Sequence, residues 1–357
     1  MKIVAAGMVS DVPGQGGATW AVLQYVLGLR RLGHDVVLIE PVRSLERSAP
    51  YFRRLARAFA LDAVLLERDS GRRIELTRQA TDGADLFLNL SGVLREPVTA
   101  DLAVYVDLDP GFTQAWHAQG IDMGFDRHQR FVTVGRSIGQ ATCPIPQCDR
   151  EWLTIPQPIV LDHWPYAARV QHRAATSVGH WRSYGSPVYD GIHYGQRAHA
   201  TRELIRIPEL SRVEVLLALG IDPGEEDDLA ALRGHGWKLT DPARVASTPS
   251  AYRDFVQGSL LELGIAKHGY TASGSGWFSD RSVCYLASGR PVVAQETGFS
   301  SWLPTGAGLL SFRTAAEAAS ALDEVVGDYE RHRRAARTLA EDVFDSDRVL
   351  GELLECL

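Results

Sequence analysis

Two spacings of apolar residues alternate along the first third of the chain. Short apolar runs at residues 3–7 and 36–40 predict buried strands. Between them, residues 18–32 place apolar side chains three and four positions apart, the spacing of one helix face. Gly33 follows as a helix stop. The pattern predicts a strand–helix–strand unit, whose crossover should be right-handed.

The same alternation continues beyond this unit. Helices are predicted at residues 51–60 and 74–80, and strands at 86–90, 103–106 and 131–134. Strands that alternate with helices predict a parallel sheet covered by helices on both faces.

A second block follows a proline-rich stretch. Five prolines fall between residues 143 and 165, which suits a domain boundary. Strand and helix patterns resume near residue 176 and include a strand at 213–219. The chain ends on helices predicted at 315–326, 328–343 and 347–354. We therefore expect an α/β fold of two Rossmann-like, doubly wound parallel-sheet domains.

A glycine-rich turn precedes the clearest helix start in the chain. Gly274 and Gly276 lack side chains, so the backbone there can approach a ligand closely. Ser279 and Asp280 are favoured N-cap residues for a helix predicted at 281–288. A glycine-rich turn that leads into a helix N-terminus is suited to hold phosphate, because free N–H groups and the positive dipole end face the anion.

A short strand predicted at 292–294 leads to a second turn at the same edge of the sheet. This turn consists of Glu296, Thr297 and Gly298. Ligands of open α/β sheets bind at this edge, so both turns are candidates for one site.

Bulk properties exclude several classes of protein. The chain has 357 residues and a net charge of −7, which argues against a general nucleic-acid binder. No apolar run approaches the ~20 residues of a membrane span, and the first residues do not resemble a secretion signal. Four cysteines do not make a disulfide scaffold. We expect a cytoplasmic enzyme with no nucleic-acid partner.

Two pairs of short motifs resemble the GT-B glycosyltransferases. Residues 16–18 and 27–36 are similar to the usual opening of these enzymes, and residues 276–279 and 287–293 to their donor-site helix and strand. The resemblance, of an actinobacterial type, implies transfer of a sugar from a nucleotide-diphosphate donor to a small-molecule or glycan acceptor. It implies a cleft between two domains, no tightly bound cofactor and no metal.

The resemblance also assigns the domains. It implies an acceptor-side domain at residues 1–165 and a donor-binding domain at 166–340, with residues 341–357 crossing back to the first domain. One departure concerns the two glutamates that many retaining members carry, because Gly276 and Cys284 stand at those positions here. Glu296 is the nearest carboxylate for the contacts to sugar or ribose.

Several residues are candidates for the donor site. The departing diphosphate needs positive charge, and Arg182, Arg197, Arg281 and Lys267 are the basic candidates. Trp237 is a candidate for stacking on the base, with an ordinary half-buried tryptophan as the alternative. The remaining donor candidates are Trp181, Lys238, Gly274, Ser275, Gly276, Phe278, Ser279, Asp280, Glu296, Thr297 and Gly298.

The acceptor side offers a different set. Asp107 and Asp109 follow the strand at 103–106 and are candidates for the catalytic base, with capping of the next helix as the alternative for Asp109. Asp11 is a rival base, in a loop that also carries Gly16 and Gly17. Aromatic residues in this half favour a flat or apolar acceptor, as in natural-product tailoring; they are Trp20, Phe112, Trp116 and Phe125.

Other interpretations remain open from the sequence. A nucleotide-sugar epimerase of the same architecture and a non-catalytic nucleotide-sugar-binding protein are the alternatives. A dinucleotide-dependent oxidoreductase is a third, since Glu40 ends the second strand where a ribose-binding acid would lie. Cys143 and Cys148, with His128 and His163, are candidates for zinc ligands, and a labile disulfide and free thiols are the alternatives. His128 and His193 are candidates for catalysis, with a structural role as the alternative.

Overall fold

The computed structural model describes residues 1–77 and 81–357, and it contains two parallel sheets. The first sheet is formed by β1 (Lys2–Ala6), β2 (Asp35–Val42), β3 (Asp62–Glu67), β4 (Arg73–Glu75), β5 (Ala84–Leu90), β6 (Ala100–Asp107), β7 (Arg130–Thr133) and β8 (Trp152–Thr154). Its strand order is β4-β3-β2-β1-β5-β6-β7-β8, and every pair except β3 with β4 is parallel.

The second half of the chain contains β9 (His172–His180), β10 (Val188–Tyr189), β11 (Ile192–His193), β12 (Val215–Gly220), β13 (Lys238–Leu239), β14 (Ser259–Gly264), β15 (Val292–Gln295) and β16 (Leu309–Phe312). The second sheet is entirely parallel, with the strand order β13-β12-β9-β14-β15-β16. Strands β10 and β11 form a separate short antiparallel hairpin, which follows β9 in the chain.

Helices connect the strands and cover the sheets. They are α1 (Gly16–Arg31), α2 (Leu45–Ala58), α3 (Phe112–Ala118), α4 (Arg197–Glu203), α5 (Ile207–Leu210), α6 (Glu226–Gly234), α7 (Pro242–Val245), α8 (Pro249–Gly258), α9 (His268–Ser273), α10 (Asp280–Ala287), α11 (Ala315–Gly327), α12 (Tyr329–Phe344) and α13 (Ser346–Cys356). No helix in residues 1–77 and 81–357 is both long and apolar enough to cross a membrane.

The predicted fold class is confirmed, because strands and helices alternate around two parallel sheets. The central strand β1 is apolar throughout its buried part, as expected for a strand covered on both faces. The start of α10 also follows the sequence, since the Ser279 hydroxyl accepts a hydrogen bond from the Arg281 N–H at 3.2 Å.

One predicted helix is wrong. Residues 74–80 were expected to be helical, but Arg73–Glu75 form β4, antiparallel to β3. Ile74 and Leu76 are half-buried while Arg73 and Glu75 are exposed, an alternation of period two that belongs to a strand. The rest of that prediction, residues 78–80, lies outside the described residues.

The two sheets are held together by contacts between their helices and loops. The Gly16 N–H donates to the Ala246 carbonyl at 2.7 Å, and a Cβ on Gly16 would lie 2.2 Å from the Thr248 carbonyl oxygen. Gly16 and Gly17 therefore serve the close approach of α1 to α8. The last helix, α13, also packs on α1, since a Cβ on Gly28 would lie 2.6 Å from Leu350.

Candidate functional site

The carboxyl ends of the two sheets meet at Asp109 and Lys267. Asp109 follows β6, and Lys267 follows β14. The Lys267 Nζ lies 2.9 Å from the Asp109 Oδ1, and the Tyr270 hydroxyl donates to the same oxygen at 2.5 Å. Tyr184, from the loop after β9, also donates to this carboxylate, and its ring lies 3.9 Å from the Lys267 Nζ. One carboxylate of the first sheet is thus surrounded by donors of the second.

These donors decide the charge of Asp109. Burial alone raises the pKa of Asp109, but the ammonium of Lys267 and the hydroxyls of Tyr184 and Tyr270 outweigh it and hold the pKa below its usual value. Asp109 is therefore an ionised carboxylate at neutral pH. It can accept a proton from a hydroxyl group that replaces one of its present partners.

Asp107 has a different environment. Its side chain is fully buried and accepts hydrogen bonds from Thr113, Gln114 and Thr133, each at 2.8 Å, and from the Asp109 N–H at 3.1 Å. Both oxygens are occupied by groups that join β6 to α3 and β7. The structure therefore gives Asp107 a structural role instead of the catalytic role expected from the sequence.

Two buried guanidinium groups lie at the same edge of the second sheet. Arg281, in the first turn of α10, is 7% exposed, and its Nε donates to Glu262 at 2.5 Å. Arg197, at the start of α4, is also 7% exposed and donates to the Ile265 carbonyl at 2.7 Å. Among the described residues the Arg197 Nε has no hydrogen-bond partner. Both guanidinium groups approach Gly179 at the end of β9.

The charge of Arg197 is disfavoured by its surroundings. Burial and the neighbouring charge of Arg281 lower the pKa of Arg197 to about 9. The carboxylates of Glu262 and Asp280 act in the opposite direction but do not outweigh these two effects. An anion beside Arg197 and the N-terminus of α10 would remove that cost.

The glycine-rich turn contacts the first sheet's half of the molecule. Gly274 and Gly276 have φ of 55° and 69°, in the left-handed region that favours glycine. The Ser275 carbonyl accepts from the Ser137 N–H at 3.1 Å, and Trp277 pairs with Gly135. The turn thus aligns α10 with the opposite half through its backbone.

Of the two candidates beside the turn, Asp280 belongs to the cluster of Arg197 and Arg281, and Phe278 belongs to the core. Asp280 opens α10, and burial raises its pKa. Phe278 is 3% exposed and stacks on Phe344 with ring centroids 5.6 Å apart, which makes it a core residue.

Glu296 is partly used by its own turn. Its Oε1 accepts from the N–H groups of Gly298 at 2.7 Å and Ser300 at 3.4 Å. Its buried Oε2 has no hydrogen-bond partner among the described residues, and Arg313 lies 3.9 Å away. The Thr297 hydroxyl donates to the Trp277 carbonyl. Glu296 therefore retains one oxygen that can accept from a ligand hydroxyl.

Four donor candidates lie apart from the cluster. Trp237 is 3% exposed and donates to the Ile205 carbonyl at 2.7 Å, so it is an ordinary core tryptophan. Lys238, on the outer strand β13, pairs with Glu214. Trp181 is buried and donates to Asp228 at 2.8 Å, while the exposed Arg182 pairs with Glu225. Neither tryptophan offers a free ring face for a base.

The loop after β1 donates its backbone N–H groups to Glu40, a residue of β2. Glu40 is fully buried, and its Oε1 accepts from the N–H groups of Val9, Ser10 and Asp11 at 2.7–2.8 Å. Because these donors enclose the carboxylate, Glu40 is not available for a ribose, and the main support for the oxidoreductase alternative is lost. Asp11 accepts from the Arg43 N–H at 2.8 Å, which indicates a structural role.

Two signals for site residues were present in the sequence and were missed. Glu262 is the charged residue within the apolar strand β14, and such a residue in a buried strand needs a partner. Tyr270 lies three positions after Lys267, which places both at one end of α9. Tyr184 had no comparable signal, because its contact with Asp109 joins residues 75 positions apart.

The cysteine and histidine candidates do not form a metal site within the described residues. Cys143 and Cys148 are free thiols. His128 is buried against Asn89 at 3.1 Å and the Gly124 carbonyl at 2.9 Å. In residues 1–77 and 81–357, no group of three His, Cys, Asp or Glu side chains is placed to hold a metal. His193 lies beside two other histidines, His199 and His268.

The aromatic residues of the acceptor side are mostly core. Trp20, Phe112 and Phe125 are at most 1% exposed, and Trp116 is half-buried. Phe112 packs against Tyr184, Tyr194 and Tyr270 between the two sheets. Phe125 instead packs against Tyr105, Phe131 and Trp152 within the first half. Neither arrangement argues for a flat acceptor.

Comparison with known proteins identifies the fold. No family model and no curated protein matches this sequence. The crystal structure of Anabaena HepE with UDP and glucose matches all of both chains with a TM-score of 0.61 at 14% identity. An α-glucosyltransferase in complex with UDP-glucose and DNA containing an abasic site matches all of this chain and 99% of its own, with a TM-score of 0.63 at 10% identity. The chain shares its fold with HepE and with the α-glucosyltransferase.

The same comparisons overturn the expectation of no nucleic-acid partner. The α-glucosyltransferase is bound to DNA in the solved structure named above and in other solved structures that match the present chain over its full length. Net charge is a property of the whole molecule, whereas DNA contacts depend on local basic groups. A net charge of −7 therefore does not exclude nucleic acid.

Proposed function

We propose that the protein is a GT-B glycosyltransferase that moves a sugar, of hexose type, from a nucleotide-diphosphate donor to an acceptor hydroxyl. The observation that carries this proposal is the buried cluster of Arg197, Arg281 and Lys267 at the carboxyl edge of the second sheet. It lies beside the N-terminus of α10, where an anion is favoured. HepE and the α-glucosyltransferase hold UDP or UDP-glucose in the same fold, which supports a uridine nucleotide.

The three cations suit the leaving group. The bond between sugar and diphosphate breaks with negative charge on the departing diphosphate, and fixed positive groups in a dry site stabilise that charge. Arg281 is already held by Glu262, whereas the Arg197 Nε has no partner among the described residues and can donate to a ligand. We assign Arg197 and Lys267 to the diphosphate and propose that they act without a metal.

Asp109 is the proposed acceptor-side group. As an ionised carboxylate at the meeting point of the two sheets, it can orient an acceptor hydroxyl and take its proton. We accordingly propose that residues 1–165 bind the acceptor and residues 166–340 bind the donor, while residues 341–357 brace the first half. The aromatic residues of this half are core or interface residues, so they do not support a small natural product as the acceptor.

Calorimetric titration with UDP, UDP-glucose and NAD⁺, each with and without EDTA, tests the donor site. We expect binding of UDP and UDP-glucose that EDTA leaves unchanged, and none of NAD⁺. Product analysis with UDP-glucose then separates the alternatives, because an epimerase would convert the sugar nucleotide without an acceptor and a binding protein would return it intact. Absence of binding by every nucleoside diphosphate would contradict the proposal.

A further inference from the structure

The outer face of α2 carries four arginines. They are Arg47, Arg53, Arg54 and Arg57, and all four are exposed. At 3.6 residues per turn they lie within about a third of the helix circumference, and Arg47 and Arg57 are about 15 Å apart along the axis. We call this set the arginine face.

The charges of the arginine face are not neutralised. Within the described ranges, 1–77 and 81–357, none of these side chains has an ion pair or a hydrogen bond; Arg54 lies over the ring of Tyr51 at 5.9 Å. The carboxylate on α2, Glu46, is bound by Arg72 at 3.1 Å. The face is therefore strongly positive in a chain whose net charge is −7.

The buried side of α2 limits what this face can bind. Leu45, Tyr51, Phe52 and Leu55 are buried in the protein core, so they cannot enter a lipid bilayer. A helix that lies on a membrane inserts its apolar side chains between the lipids. The arginine face offers charge and planar guanidinium donors without such side chains, and this chemistry matches the phosphates of a nucleic-acid backbone.

The position of α2 connects the arginine face with the candidate site. Helix α2 starts at the carboxyl end of β2, where the Arg43 N–H contacts Asp11 in the loop after β1. Strands β2 and β6 are three positions apart in the sheet, so the start of α2 lies about 14 Å from the strand that leads to Asp109. A duplex along α2 would have one end near the cleft.

We propose that the arginine face binds the phosphate backbone of a nucleic-acid duplex. The contact is electrostatic and independent of sequence. About 15 Å of duplex carries roughly nine phosphates, enough to meet four guanidinium groups on one side. The inference does not rest on sugar transfer, because binding of a duplex is measured without a donor.

Fluorescence anisotropy with a labelled 20-base-pair DNA duplex tests the proposal. Each neutralised phosphate adds about 0.9 to the slope of log affinity against log salt, so we expect a slope of about −3 to −4. Replacing all four arginines of the face by glutamine should weaken binding at low salt at least about tenfold and reduce that slope to about −1 or less. A thermal melt verifies that the variant is folded.

A matched control removes the same charge elsewhere. Arg233, Arg244, Arg331 and Arg334 are exposed arginines spread over α6, α7 and α12, and they are replaced by glutamine together. We expect this control to bind the duplex like the unaltered protein. Equal losses in both variants would mean that bulk charge decides binding, which overturns the proposal.

Two further results would overturn it. One is absence of duplex binding at low salt by the unaltered protein. The other is binding to vesicles of anionic phospholipid that depends on the arginine face while duplex DNA does not bind, because the partner would then be a membrane surface. Titration with UDP on the same samples is independent, so failure of the arginine face and failure of the proposed donor site are distinguishable.

Discussion

Asp109 and Lys267 bind each other, so a substrate group that binds either residue must replace this contact. Lys267 is 15% exposed at its side chain and is enclosed by the rings of Phe112, Tyr184 and Tyr270, so its charge depends on a nearby anion. Asp109 supplies that anion at 2.9 Å. A diphosphate that takes over Lys267 would release Asp109 for an acceptor hydroxyl, which couples donor binding to preparation of the base.

This coupling predicts an unusual phenotype for Asp109→Asn. Loss of the carboxylate leaves Lys267 without its internal anion, so affinity for UDP should rise about tenfold, or about 1.4 kcal/mol. Turnover should fall about a hundredfold or more, because the proton acceptor is lost. Burial lowers the pKa of Lys267 and the Asp109 carboxylate raises it, so Lys267 holds its proton less tightly in the variant and the gain in affinity should shrink as the pH rises. Calorimetry and initial rates measure both effects.

Asp107→Asn is the matched control for that experiment. The new side chain has an NH2 group in place of one carboxylate oxygen, so the donors that bind this oxygen lose their acceptor. We expect this loss to cost about 1–3 kcal/mol in the free energy of unfolding. We therefore expect a lower melting temperature with UDP affinity unchanged. If Asp109→Asn left UDP affinity unchanged or weakened it, the competition between Asp109 and a diphosphate would be refuted.

Arg197 exemplifies a conflict between stability and binding. It is a buried cation beside Arg281, and its Nε has no partner within residues 1–77 and 81–357. Arg197→Met should therefore leave the melting temperature of the free protein unchanged or raise it. The same variant should weaken UDP binding at least about tenfold, since a charge-assisted hydrogen bond is lost. Arg182→Met is the control, because Arg182 is exposed and pairs with Glu225. Equal effects of both variants would move the diphosphate away from Arg197.

At the scale of elements, local sequence patterns predicted helices and strands better than they predicted the functions of single residues. The start of α10 was predictable because Ser279 caps it by a contact within two residues. The strand β4 was not, since its three residues are too few for the spacing of apolar side chains to distinguish a strand from a helix. Trp237 shows a third limit: the sequence offered it for stacking on a base, but its indole N–H donates to the carbonyl of the distant Ile205 in the core.

The turn before α10 provides a test at this scale. Gly274 and Gly276 both have positive φ, so alanine at either costs about 1–2 kcal/mol. A Cβ on Gly276 would also lie 2.5 Å from the Ser137 Oγ and 2.7 Å from its backbone nitrogen, whereas one on Gly274 meets nothing among the described residues within 4 Å. Gly276→Ala should therefore lower the melting temperature clearly more than Gly274→Ala. Equal losses would mean that the contact with Ser137 contributes nothing.

At the scale of the whole molecule, alternation of strands and helices was enough to predict two parallel sheets. The pairing of site residues across the cleft was not predictable, because Asp109 and Lys267 are 158 positions apart and meet only through the arrangement of both sheets. Net charge misled for the opposite reason, since it averages the arginine face with the acidic remainder of the surface.

The end of the chain joins both halves and gives the last prediction. Phe344 ends α12 and stacks on Phe278 beside the start of α10, while α13 packs on α1 and Asp347 pairs with Arg31 at 3.0 Å. Truncation after Ala340 removes all of these contacts, so both the melting temperature and UDP affinity should fall.

The variant Leu350→Ala is the control. It keeps Phe344 but removes a fully buried side chain from the contact with α1, which should lower the free energy of unfolding by about 2–5 kcal/mol. It should lower the melting temperature and leave UDP affinity nearly unchanged. A truncated protein that melts and binds UDP like the full chain would show that residues 341–357 do not brace the cleft.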